Sequence, residues 1–117
     1  MARLADVQSC VRYGAQITNP STTTAIPKGF NTIQDSVFYL PAAIPASGSG
    51  AAIIECGRMA NADKDTAAAI AVGEALYWDE ANERLTTTPG ALQYCGVATS
   101  AATAAATKLP HFKFENS

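Results

Sequence analysis

The chain has 117 residues, 48% of them hydrophobic, and a formal net charge of −2 at pH 7. This length supports one domain with a modest core, and this composition excludes wholesale disorder. The eight Lys and Arg residues are scattered, which excludes the clustered positive charge of a nucleic-acid groove, and no apolar run is long enough to span a bilayer.

Much of the hydrophobic fraction is alanine, so a thin core with flexible segments around it is expected. Met1 to Asp6 lacks the apolar centre of a signal peptide, and the expectation is a protein that stays in the cytosol where it is made. Cys10, Cys56 and Cys95 form no CxxC pair, which excludes a zinc ribbon or a thioredoxin-type motif. Cys56 and Cys95 sit inside apolar runs and are expected to be buried free thiols.

In chain order, Leu4, Val7, Cys10 and Val11 fall at helical spacing. That leaves a short helical turn, an arm or a partly ordered terminus open for residues 1–12. Residues 13–36 show no period. They carry a polar, breaker-rich stretch from Asn19 to Thr24 and a turn signal at Pro27-Lys28-Gly29. Ile17, Ile26, Phe30 and Ile33 stand there as isolated apolar positions. A segment of this length without a period is either disordered or orders against something else. Residues 1–35 therefore read as an extended N-terminal arm with apolar anchors, and residues 36–117 as a β-rich core domain.

Val37 to Leu40 is β-branched and aromatic and is stopped by Pro41. Ala51 to Cys56 is the next strand, and the flexible stretch Pro45 to Gly50 between them predicts a hairpin with a mobile tip. Residues 58–65 carry turn chemistry. Thr66 to Val72 is assigned to a strand although its alanines favour helix. Leu76-Tyr77-Trp78, the polar turn Asp79 to Glu83 and Arg84 to Thr88 predict a second hairpin. Leu92 to Ala98 is a further strand in which Gly96 marks a bulge. Ser100 to Thr107 is a short helix or a loop. Leu109 to Glu115 alternates as a half-buried strand with Phe112 and Phe114 on one face, and Pro110 puts it at an edge. The sum is an all-β fold: a small antiparallel β-sandwich or barrel with an extended, largely irregular N-terminal arm.

Sites of chemistry are sparse. His111 is the single histidine, on the polar face of the last strand, with no motif supplying a partner for acid–base work. Asn61, Asp63 and Asp65 have the opening spacing of a calcium loop, but Thr66 stands where glycine is required and Val72 where the closing glutamate is. Neither a GxxxxGK[ST] phosphate loop nor a GxSxG elbow occurs. Asp79, Glu80 and Glu83 read as a solvated turn rather than the paired carboxylates of a glycosidase. No catalytic, cofactor or metal residues are assigned. Trp78 is expected to pack, within the chain or between chains, and Tyr77, facing the other way, to line a surface.

The run Gly73-Glu74-Ala75-Leu76-Tyr77-Trp78-Asp79, with its polar turn and the threonines 86–88, resembles a recurring segment of the tailed-phage capsid cement (head decoration) proteins. The similarity continues through Tyr94-Cys95-Gly96-Val97-Ala98, the alanine-rich connection Ser100 to Thr107 and the final strand Phe112 to Glu115. It covers about residues 51–117, whereas residues 1–35 depart from the short N-terminal strand usual in that family. The resemblance implies a small β-rich virion protein, not an enzyme and without cofactors. It would be made in the host cytoplasm and sit on the outer capsid surface. Its partners would be the major capsid protein and itself, as a homotrimer or a homodimer, with no nucleic acid or membrane involved. Ile17, Ile26, Phe30, Ile33, Tyr77 and Trp78 are the expected capsid or subunit contacts. A carbohydrate- or host-surface-binding β-module, with Tyr77, Trp78 and Tyr94 lining its site, is the alternative.

Overall fold

The computed structural model describes residues 3–8, 10 and 12–116; Val11, part of the helical spacing, lies outside them. Among these residues the chain forms no helix and nine strands. These are β1 (Asp6–Val7), β2 (Arg12–Thr18), β3 (Gly29–Ile33), β4 (Ser36–Leu40), β5 (Ser49–Asp63), β6 (Ala75–Asp79), β7 (Arg84–Thr86), β8 (Gln93–Ala98) and β9 (Lys108–Glu115). They make one antiparallel sheet, in the order β3-β4-β5-β9-β8-β6-β7, curled into a half-barrel. Ile53 pairs with both Tyr13 and Tyr39, and Met59 with both Val7 and Phe112. β1 and β2 therefore line one edge of the long β5, while β4 and β9 line the other.

Two tight connections set the curl. Ile33 pairs with Ser36 across Gln34 and Asp35, whose φ angles of 50° and 65° are both left-handed. That is a two-residue loop of the kind whose twist matches its strands. In β8, Leu76 pairs with Gly96 and Tyr77 with Tyr94, so Cys95 is bulged out of the ladder. Gly96 has φ 147° and lies so close to the Lys113 carbonyl that a side chain has no room. The bulge bends β8 onto β9 at the place expected from the sequence.

Alternation along the strands builds the inner core. Phe30 is fully buried and touches Tyr39, Trp78, Phe112 and Phe114 at ring-centroid distances of 4.8 to 6.0 Å. Met59, Leu76, Leu85 and Leu109 fill the remaining space. A second cluster of Ile17, Leu40, Ile44 and Ala52 lies on the opposite face of the sheet. It is roofed by the irregular segments 19–28 and 41–48, tied to each other by reciprocal 2.9 Å hydrogen bonds between Ile26 and Ile44. Buried Asn19 secures the roof by donating to the Thr24, Ile44 and Pro45 carbonyls.

Several elements differ from the sequence reading. The pairing does not respect a boundary at residue 35: β1 and β2 pair with β5, and Phe30 of β3 is the hub of the core. Residues 58–63 continue β5 instead of turning, because β1 and β9 pair with Met59 and Ala60 from both sides and β9 goes on to pair with Ala62 and Asp63. Asn61 there takes a left-handed φ of 59°. Residues 66–72 hold turns and a single bridge from Ile70 to Ala102 rather than a strand, and 100–107 is a loop. β4 is hairpinned to β3, and meets β5 only at Tyr39 and Ile53. β9 lies between β5 and β8, not at an edge. Its pairs with β5 at Ala60–His111 and Ala62–Leu109 flank Pro110, for which no register partner stands, as suits a residue without an N–H.

Candidate functional site

The ends of the curled sheet are joined by side chains. Glu80, in the β6–β7 turn, accepts hydrogen bonds from the Trp78 indole at 2.9 Å and from the backbone N–H of Thr32 in β3 at 3.0 Å. Its other oxygen is 2.7 Å from Arg3, which also lies 3.3 Å from Glu83 and donates to the Phe30 carbonyl at 3.0 Å. Asn82 donates to Asp79 and holds that carboxyl below its usual range. The acidic turn is thus a clasp, each carboxylate engaged by a neighbour. The opening residues of the incomplete calcium loop are likewise divided among different partners. Asn61 donates to Asp6, Asp63 pairs with Lys108, and Asp65 accepts from the Ala67 N–H.

Lys64 is 3% exposed, and its ammonium donates to the carbonyls of Thr103, Ala104 and Ala106 at 3.0 to 3.2 Å. A buried lysine is tolerable when its charge is fully hydrogen-bonded. Here it shapes the alanine-rich loop 100–107, which Ile70 and Ala102 stitch to the 66–72 turn. No sequence signal marks this role, because the acceptors are main-chain atoms.

The six expected contact residues fall into three places. Phe30 and Trp78 are 0% and 1% exposed and pack in the inner core. Ile17, Ile26 and Ile33 converge on the outer cluster, where Ile17 is buried while Ile26, Ile33 and Phe38 form a half-buried rim. Tyr77 faces outward between buried Leu76 and Trp78. It stacks edge-on against Tyr94 with centroids 6.2 Å apart. Tyr94 donates to Glu115 at 2.6 Å; burial first and this carboxylate second push its phenol up to about 12. The surface therefore offers two half-exposed apolar patches, the Ile26–Ile33–Phe38 rim and the Tyr77–Tyr94 pair.

Cys95 is a buried free thiol whose ionisation burial opposes. Cys56, in contrast, forms a disulfide with Cys10. Sequence spacing could not foretell this, since 46 residues separate the two and connectivity is set by the fold.

Comparison with known proteins adds a family to this geometry. No curated protein and no solved structure matches the chain. The family model described as phage cement protein matches residues 11–111, a stretch running from the start of β2 into β9 and spanning both apolar patches. The chain belongs to the phage cement protein family.

Proposed function

We propose that this phage structural protein binds the outer surface of a tailed-phage capsid and stabilises the lattice of the major capsid protein. The observation that carries this reading is the family match over residues 11–111. A clamp that binds the assembled shell and not its dispersed subunits stabilises the shell by mass action, and symmetry multiplies one modest contact over many copies. Two half-exposed apolar patches on a rigid sheet suit such a contact, because aromatic and aliphatic groups in the centre of an interface carry most of its energy. Of the six expected contact residues, Ile26, Ile33 and Tyr77 reach the surface and are proposed to touch coat protein or a neighbouring copy. Ile17, Phe30 and Trp78 would act from beneath by holding them in place.

Co-sedimentation of the purified chain with mature, emptied heads built from the cognate coat protein tests this. Saturable binding at a fixed ratio to coat subunits, with heads that then resist heating better, is the expected result. Tyr77→Ala or Ile33→Ser should weaken that binding about tenfold or more while leaving the fold intact. Deleting residues 1–35 is unsuitable as a test, since it would remove Phe30 from the core. A failure to bind either immature or expanded shells would overturn the capsid reading.

A further inference from the structure

The segment ahead of β2 is attached in an unusual way. Leu4 and Val7 are 44% and 43% exposed, so these two side chains bury little against the core. Its ladder is two residues long, Asp6 with Ala60 and Val7 with Met59. Polar contacts add to it, Gln8 N–H to the Arg58 carbonyl, the Tyr39 hydroxyl to the Ala5 carbonyl and Arg3 to the β6–β7 turn, while the small Ala5 side chain packs on the inner core. The Cys10–Cys56 disulfide ties the segment to β5 at Cys56, the residue that pairs with Phe114 of β9. It lies between the Val7↔Met59 and Arg12↔Glu55 pairs, beside the place where the β5–β9 register shifts between Cys56 and Met59. The covalent bond thus adds to the Gln8–Arg58 hydrogen bond a second tie between the segment and β5. The family match begins at residue 11, so this bond ties a segment ahead of the matched stretch to a strand within it.

We propose that Cys10 and Cys56 form a redox-operated latch, which fastens residues 3–8 across β5 and the mouth of the curl in oxidising solution and releases them in reducing solution. Cys10 is partly exposed and Cys56 is fully buried, which assigns the order of events. The Cys10 thiolate attacks a low-molecular-weight disulfide such as oxidised glutathione and expels one glutathione thiol. The Cys56 thiolate then displaces the second. Two protein thiols become one disulfide, one glutathione disulfide becomes two thiols, and the protons pass with the leaving groups. Cys95 takes no part, being buried with its ionisation suppressed. Release also frees an inner-core strand, because the Phe30 N–H donates to the Arg3 carbonyl at 2.9 Å.

Thiol titration of the denatured chain and amide hydrogen exchange of the native chain test the latch. After incubation with oxidised glutathione, one titratable thiol is expected; after dithiothreitol, all three. The Gln8 and Phe30 amides should exchange about tenfold faster or more in the reduced protein and in Cys10→Ser, whereas β8 amides should not change. Cys95→Ser should latch like the wild type. Three thiols after oxidation of the native chain, or equal Gln8 and Phe30 exchange rates in the two states, would overturn the proposal.

Discussion

The two apolar clusters on opposite faces of the sheet are built by different rules. The inner one is the product of regular alternation: Leu76 and Trp78 in β6, Phe112 and Phe114 in β9, Tyr39 in β4, all converging on Phe30. The outer one gathers single apolar residues from segments with little regular structure, Ile44 and Ile26 from loops and Ile17 and Leu40 from strand ends. What orders the outer cluster is hydrogen bonding, through Asn19 and the Ile26–Ile44 bridge, and the apolar contacts then close over it. The difference teaches that a sheet can be covered on its second face without a second sheet, provided the covering loops satisfy their own main-chain groups.

If the inner cluster is the cooperative core, Phe30→Ala should cost about 4 kcal/mol of unfolding free energy, read as a lowered denaturant midpoint. Ile44→Ala deletes a residue that is 1% exposed in the outer cluster and should cost about 2 kcal/mol. It should also loosen residues 19–28 and 41–48 in hydrogen exchange while sparing β8 and β9. Equal losses from the two substitutions, with exchange rising everywhere, would mean one cooperative core rather than a core and an annex. The smallest effect belongs to the outward tyrosines. The Tyr94 phenol is raised to about 12 from a usual 10.0, so its contribution is complete below the unfolded value and is lost as pH climbs through the folded one. Tyr94→Phe should therefore flatten the alkaline decline in stability between about pH 10 and 12, by a small amount because the ring is largely at the surface.

The legible parts of the fold were those whose residues repeat with a period of two. The β6–β7 hairpin, the bulge at Gly96 and the inward pair Phe112 and Phe114 all follow from local pattern. Residues 13–36 did not, because the apolar positions serve both faces: Phe30 points into the curl while Ile33, three residues on, points out. A segment that feeds two clusters shows no single period. The turn at Gln34 and Asp35 also lacks the Asn-Gly or Asp-Gly pair that announces such a hairpin. Residues 58–63 carry turn-favouring side chains, yet β1 and β9 on both sides of them hold the chain extended. Of the candidate contacts, Tyr77 was legible from its alternation with Trp78, whereas the meeting of Ile17, Ile26 and Ile33 depends on loop closures that no local pattern encodes.

Lys64 separates the shape of one loop from the identity of its residues. The ammonium grips carbonyl oxygens, and a carbonyl is the same whichever side chain stands beside it. The stretch from Ser100 to Thr107 is therefore free to drift among small residues at little cost to its path, so long as three oxygens keep facing one cation. Whatever surface that loop presents can be rewritten independently of the scaffold, with a single lysine as the fixed point.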